Sequence, residues 1–71
     1  MKEGYGAALE RGVVETIESG GYRVASMTRR GIRTPVIKSL ETGLKVGDRV
    51  YFFLFPDGDG VILAKMGTLG G

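Results

Sequence analysis

The sequence predicts an all-β protein, a small barrel of five short strands, and three observations carry that prediction. Glycine makes up 13 of 71 residues, far above ordinary usage. Away from the chain ends each glycine stands between short apolar or β-branched runs, where a chain reversal needs positive φ or a close backbone approach. The runs themselves recur at roughly ten-residue spacing with turn signals between them and no long helical insert.

The first strand is expected from Gly12 to Ser19. Leu9, Val13 and Ile17 also fit helical spacing, but Gly12 and the β-branched Val13, Val14, Thr16 and Ile17 favour a strand. The pair Gly20-Gly21 marks a hairpin, and Tyr22–Thr28 forms the second strand, turned by Arg29-Arg30-Gly31. The third runs from Ile32 to Leu40, with Pro35 marking an edge or a bulge because it cannot donate to a ladder. Residues 41–48 form a loop whose Leu44 and Val46 plug a barrel end. Arg49–Phe55 is the fourth strand, Pro56-Asp57-Gly58-Asp59-Gly60 a turn, and Val61–Met66 the fifth strand. The expected core is Val13, Ile17, Val24, Ile32, Val36, Val50, Phe52, Leu54, Ile62 and Leu63. Closing such strands into a barrel hides edges that an open sheet would expose. Two designs fit, an oligonucleotide-binding-like barrel and a Src-homology-like barrel. The length allows one domain, divided into an N-terminal segment with a short helical turn (1–11), the barrel (12–66) and a flexible Gly-rich tail (67–71).

Composition excludes several functions. Apolar residues at 42% and charged residues at 25% describe a globular chain. The longest apolar run, Val50 to Phe55, is far short of the roughly 20 residues of a membrane-spanning helix. Met1–Gly6 has no apolar secretory core, so the expected location is cytoplasmic. The absence of both Cys and His removes thiolate nucleophiles, the commonest general base and the commonest metal ligands. Neither a phosphate-cradling Gly-rich loop nor a dinucleotide fingerprint is present. The expectation is a protein that is not an enzyme, with no cofactor, no metal and no small-molecule substrate. Asp57-Gly58-Asp59-Gly60 opens like a calcium loop, but the twelfth position, where a bidentate Glu belongs, is Thr68; a hairpin turn accounts for it.

Two constellations remain. Charge is uneven: residues 1–18 sum to −2, residues 19–40 to +5 and residues 41–71 to −1. The middle block offers Arg23, Arg29, Arg30, Arg33 and Lys38, with Tyr22 as a stacking platform, for contact with nucleic-acid phosphates and bases. The structural alternative is that these cations satisfy acids elsewhere on the chain or on a neighbouring subunit. In the second, Tyr51-Phe52-Phe53-Leu54-Phe55 has no polar side chain on either face, although a solvated strand needs one. With Val50, Phe52 and Leu54 inward, Tyr51, Phe53 and Phe55 form an outward aromatic row. Its cover is residues 3–10, carrying Tyr5, Ala7, Ala8 and Leu9, or a protein partner or second subunit, or stacked nucleobases.

The order Gly12-Val13-Val14…Ile17, Gly21-Tyr22-Arg23-Val24, Leu44-Lys45-Val46-Gly47-Asp48-Arg49-Val50-Tyr51-Phe52 and Asp57-Gly58-Asp59-Gly60-Val61-Ile62-Leu63 resembles the small β-barrel proteins of phage and prophage late operons, which accompany tail, baseplate or neck genes. The resemblance covers residues 12–66. It implies a non-enzymatic, oligomer-forming structural component, with the virion as an alternative location and no catalytic residue to carry over. The leading expectation is therefore an interaction or assembly module, and the alternative a nucleic-acid-binding barrel.

Overall fold

The computed structural model describes residues 8–67. It contains five strands, β1 (Ala8–Glu18), β2 (Gly21–Ser26), β3 (Lys38–Ser39), β4 (Arg49–Leu54) and β5 (Gly60–Lys65), in one curled sheet of order β2-β1-β4-β5-β3. All neighbours are antiparallel except β3 and β5, which are parallel. The two ends of the sheet meet through bridges between Tyr22 and Ile37 and between Ala25 and Arg33. Read around the curl, the order is 1-2-3-5-4-1. The parallel β3–β5 pair and a first strand shared by two neighbours set this curled five-stranded sheet apart from a simple antiparallel meander.

β1 is the strand that makes the curl. Gly12 pairs with Ser26 of β2 and with Val50 of β4, and Val13 with Ala25 and Arg49. A Cβ at Gly12 would stand 2.7 Å from the Ala25 carbonyl oxygen and 2.8 Å from the Phe52 ring, so the two layers meet there only because the side chain is missing. Gly12 thus lies inside β1 and does not start it, and residues 8–11, expected to precede the barrel, belong to the strand. A shift in register between Val14 and Thr16 then bends the strand toward β2.

The core consists of Val14, Val24, Ile37, Leu44, Val50, Phe52 and Ile62, with Tyr22 and Leu54 packed against it. Val24, Val50, Phe52 and Ile62 are as expected. Val13 is half-buried because its neighbour Val14 occupies the inner face; the register shift after Val14 sets Ile17 opposite Tyr22 on the inner side, but near the end of β1, where it is 51% exposed. Ile32 is 40% exposed and Val36 half-buried, with Ile37 taking the inward place. Leu63 is half-buried at the second register shift, between Tyr51 and Phe52 on β4. Leu44 does plug the barrel, whereas its expected companion Val46 is 62% exposed.

The third strand is mostly irregular. Only Lys38–Ser39 is regular strand, yet the segment before it bonds to β2. Ser26 donates to the Ile32 carbonyl at 2.9 Å, Thr34 to that of Val24 at 2.9 Å, and Tyr22 and Ile37 exchange bonds at 2.8 Å. Four residues from Thr34 to Ile37 oppose three from Val24 to Tyr22, so Pro35 falls in a bulge. The Thr34 hydroxyl, buried, accepts from the Val24 amide at 3.0 Å and substitutes for a missing ladder bond. The loop before β4 is clamped to β1: Gly47, at φ +96°, donates to the Val14 carbonyl at 2.8 Å, and Val14 to that of Asp48 at 2.9 Å.

Substituting Gly12→Ala is expected to lower stability by about 1–3 kcal/mol through overpacking. Gly20→Asn, at a turn position with φ +95° and open space around it, should stay within about 1 kcal/mol because Asn tolerates the left-handed region. Urea unfolding midpoints measure both.

Candidate functional site

Alternation along β4 places Val50, Phe52 and Leu54 toward the core and Arg49, Tyr51 and Phe53 on the outer face of the sheet. Antiparallel pairing extends that face sideways. Phe53 stands between Leu9 of β1 and Val61 of β5, and Tyr51 between Arg11 and Ala64. Phe55 follows the end of β4 and continues the row, its amide donating to the Asp59 carbonyl at 2.7 Å. Leu9 is 60% and Phe55 42% exposed, while Tyr51, Phe53 and Val61 are half-buried by one another and their neighbours. On the β3 side the row ends at Lys38, which pairs with Val61.

The aromatic row read from the sequence therefore lies together on one face. Leu9 and Val61 were not assigned to it; strand pairing across β1, β4 and β5 brings them in, and single-strand alternation carries no such information. The expected cover by residues 3–10 is revised accordingly. Residues 3–7 lie outside the described residues, and Leu9 is a member of the row. A shallow depression of about 370 Å³ opens beside it, lined by Leu9, Glu10, Arg11, Thr28 and Tyr51.

The basic block is arranged differently. Arg29 pairs with Glu10 at 2.6 Å, Arg33 with Glu15 at 2.6 Å and Arg23 with Glu18 at 2.8 Å. The acids all stand on β1, so the negative first segment neutralises the positive second one across the sheet. From Glu10 to Glu18 is about 26 Å of strand, and these arginines are spaced along it instead of converging. Tyr22 packs against the core. It also lines, with Lys38, a second shallow depression of about 380 Å³ at the β1–β2 turn. Arg30 lies in the turn after β2, and neither it nor Lys38 has an ion-pair partner among the described residues.

The tightest polar cluster is one that sequence reading did not single out. Glu10 is on the inner face at the barrel end, its side chain only 8% exposed. One carboxylate oxygen accepts from the Ser26 hydroxyl at 2.9 Å and the Thr28 hydroxyl at 3.3 Å, and the other faces Arg29. Ser26 Oγ in turn accepts the amides of Thr28 and Arg29 at 3.1 and 2.9 Å. A buried carboxylate with every oxygen occupied fastens the turn after β2 onto β1. At the far end of β1, the Nε–H of Arg23 and the hydroxyl of Thr16 hold the Glu18 carboxyl below its ordinary value of 4.5.

Among the described residues no group of three or more acidic side chains is placed to hold a metal ion, and no helix is long and apolar enough to cross a membrane. Comparison with known proteins found no matching family model, no match among curated proteins and no match among solved structures.

Arg29→Ala should destabilise the fold by about 1–3 kcal/mol, because it leaves a buried carboxylate without its cation; urea denaturation reads it. The Glu18 pair contributes stability that is present above pH 4.5 and is lost as pH falls through the depressed value. In a carboxyl NMR titration the Glu18 midpoint is expected below 4.5, and Arg23→Ala should return it toward that value.

Proposed function

We propose that this chain is a non-enzymatic interaction or assembly module, of the kind the phage late-operon resemblance implies, and that the outer face of β1, β4 and β5 is its contact surface. One observation carries the reading: the side-by-side row Leu9–Phe53–Val61, extended by Tyr51 and Phe55, gives a three-strand sheet an apolar exterior where a solvated sheet alternates apolar and polar faces. Apolar surface exposed among the described residues, as at Leu9 and Phe55, is of the kind found at protein contact sites. A chain of 71 residues without disulfides also gains stability from association that its small core does not supply.

A second reading, a nucleic-acid-binding barrel, is favoured by the strand order, since barrels of this order bind oligonucleotides on the β2–β3 face and adjoining loops. The charges support it less. With Arg23, Arg29 and Arg33 engaged by glutamates, Arg30 and Lys38 are the cations of the block left for phosphate. A complex through those two would show a slope of log affinity against log salt between about −1 and −2.

A photoreactive phenylalanine analogue at Phe55, in the organism that makes the protein, is expected to yield a discrete protein adduct, and the same group at exposed Lys45 none. Equal labelling at both positions, or none at Phe55, would overturn the contact-surface reading. A mixed single-stranded oligonucleotide at low salt is expected to leave the protein unshifted; a shift abolished by Arg30→Ala would favour the second reading.

A further inference from the structure

Resting on the reading of the outer face as a contact surface, we propose that its occupant is a second copy of this chain, packed face to face with the two β4 strands antiparallel. The argument comes from how charge is laid out around the apolar row. Along β4 the outer positions run Arg49, Tyr51, Phe53 and then Phe55, about 20 Å of strand. Arg11 lies beside Tyr51 on β1, which makes this end basic. Past Phe55 the chain enters the turn that carries Asp57 and Asp59. Asp59 is the backbone partner of Phe55, one step beyond the Leu54–Gly60 pair, and alternation therefore puts it on the same outer side as Phe53 and Val61. The face is thus basic at one end, acidic at the other and apolar between.

Neighbouring charges leave that polarity in place. At the basic end, Asp48 accepts from the Lys45 amide at 2.9 Å and faces Lys65 at 3.8 Å, and Glu15 is held by Arg33. At the acidic end one oxygen of Asp57 accepts the Asp59 amide and one oxygen of Asp59 accepts the Gly60 amide. Neither carboxylate has a cation partner among the described residues. Lys38 bounds the face at its side, next to Val61.

Two sheets packed on one another keep their strands within about 30° of alignment, and a pair of identical chains most often adopts two-fold symmetry with the same patch on both sides. The axis lies in the contact plane and runs either along the strands or across them. Along the strands it sets Arg49 on Arg49 and Asp59 on Asp59, which is repulsive at both ends. Across the strands it sets each basic end on the partner's acidic end and stacks the Leu9–Phe53–Val61 row on its own copy. Complementary charge selects the second arrangement. A face that carries its own electrostatic complement at its opposite end recognises a copy of itself. Three strands spaced about 4.8 Å apart and about 20 Å long give a contact of roughly 300 Å² per chain, smaller than the standard specific interface, so the dimer is weak and transient and fills only at high concentration.

Sedimentation velocity of the full chain from about 1 μM to about 1 mM is expected to show a two-chain species that grows with concentration. Phe53→Thr and Phe55→Ser are each expected to raise the dissociation constant by about tenfold or more with circular dichroism unchanged; Phe55, exposed and outside any strand, keeps the test valid if the other variant unfolds. Because the chain has no cysteine, Arg49→Cys and Asp59→Cys variants can be mixed and mildly oxidised. The antiparallel pair requires disulfides between positions 49 and 59 to exceed like-with-like disulfides. A monomer at every concentration overturns the proposal, as does a dimer linked chiefly 49 to 49. A monomer in solution that still gives a Phe55 photo-adduct of a mass other than two chains overturns the second copy and leaves the contact surface standing. The absence of any adduct removes both.

Discussion

One strand has to serve two neighbours, and the rest of the molecule follows from how it does so. At Gly12 and Val13, β1 is hydrogen-bonded to β2 on one side and β4 on the other, and the sheet can curl there because Gly12 lets Val24, Ala25 and Phe52 close over it. The curl brings β2 round toward the segment before β3, buries Phe52 completely and leaves the opposite face of β1, β4 and β5 as the convex exterior. The core and the contact surface are thus two sides of one decision about backbone approach.

The same strand organises the charge. Its glutamates alternate in their surroundings: Glu10 is buried at the barrel end, while Glu15 and Glu18 lie nearer water, yet each meets an arginine from the basic stretch that follows. A block that sums to +5 in sequence is therefore largely compensated in space. Exposed pairs of this kind contribute little individually; Glu10 differs because its hydroxyl partners and Arg29 leave no oxygen unpaired in a place that water barely reaches.

How much of this was legible depends on what each residue constrains locally. β4 was readable because six consecutive apolar or aromatic residues bounded by Arg49 and Pro56 admit little else, and its inner and outer sets follow from alternation alone. β1 was half-readable: its β-branched run is plain, but a glycine in the middle of a strand looks like a boundary until a second neighbour is known. The inward residue was misplaced from Val14 to Val13 because adjacent valines read alike in either parity, and Ile17, which the bulge sets opposite Tyr22 on the inner side, lies too near the strand end to be covered. Around Pro35 the expected bulge is present, but it shifts the buried position to Ile37. The acid partners of the arginines, and the membership of Leu9 and Val61 in the outer row, are products of strand pairing between distant segments and have no local signature.

The division of β1 between β2 and β4 has a kinetic side. Its hairpin with β2 closes over a two-residue turn, whereas its other edge waits for a strand that begins at Arg49, and β5 follows later still. A nascent chain therefore holds an open edge and half a core until β5 has been made, and the barrel can shut only then. Topologies dominated by such distant pairings fold slowly for their size, and during that interval the early hairpin is the part most exposed to pairing with a stranger.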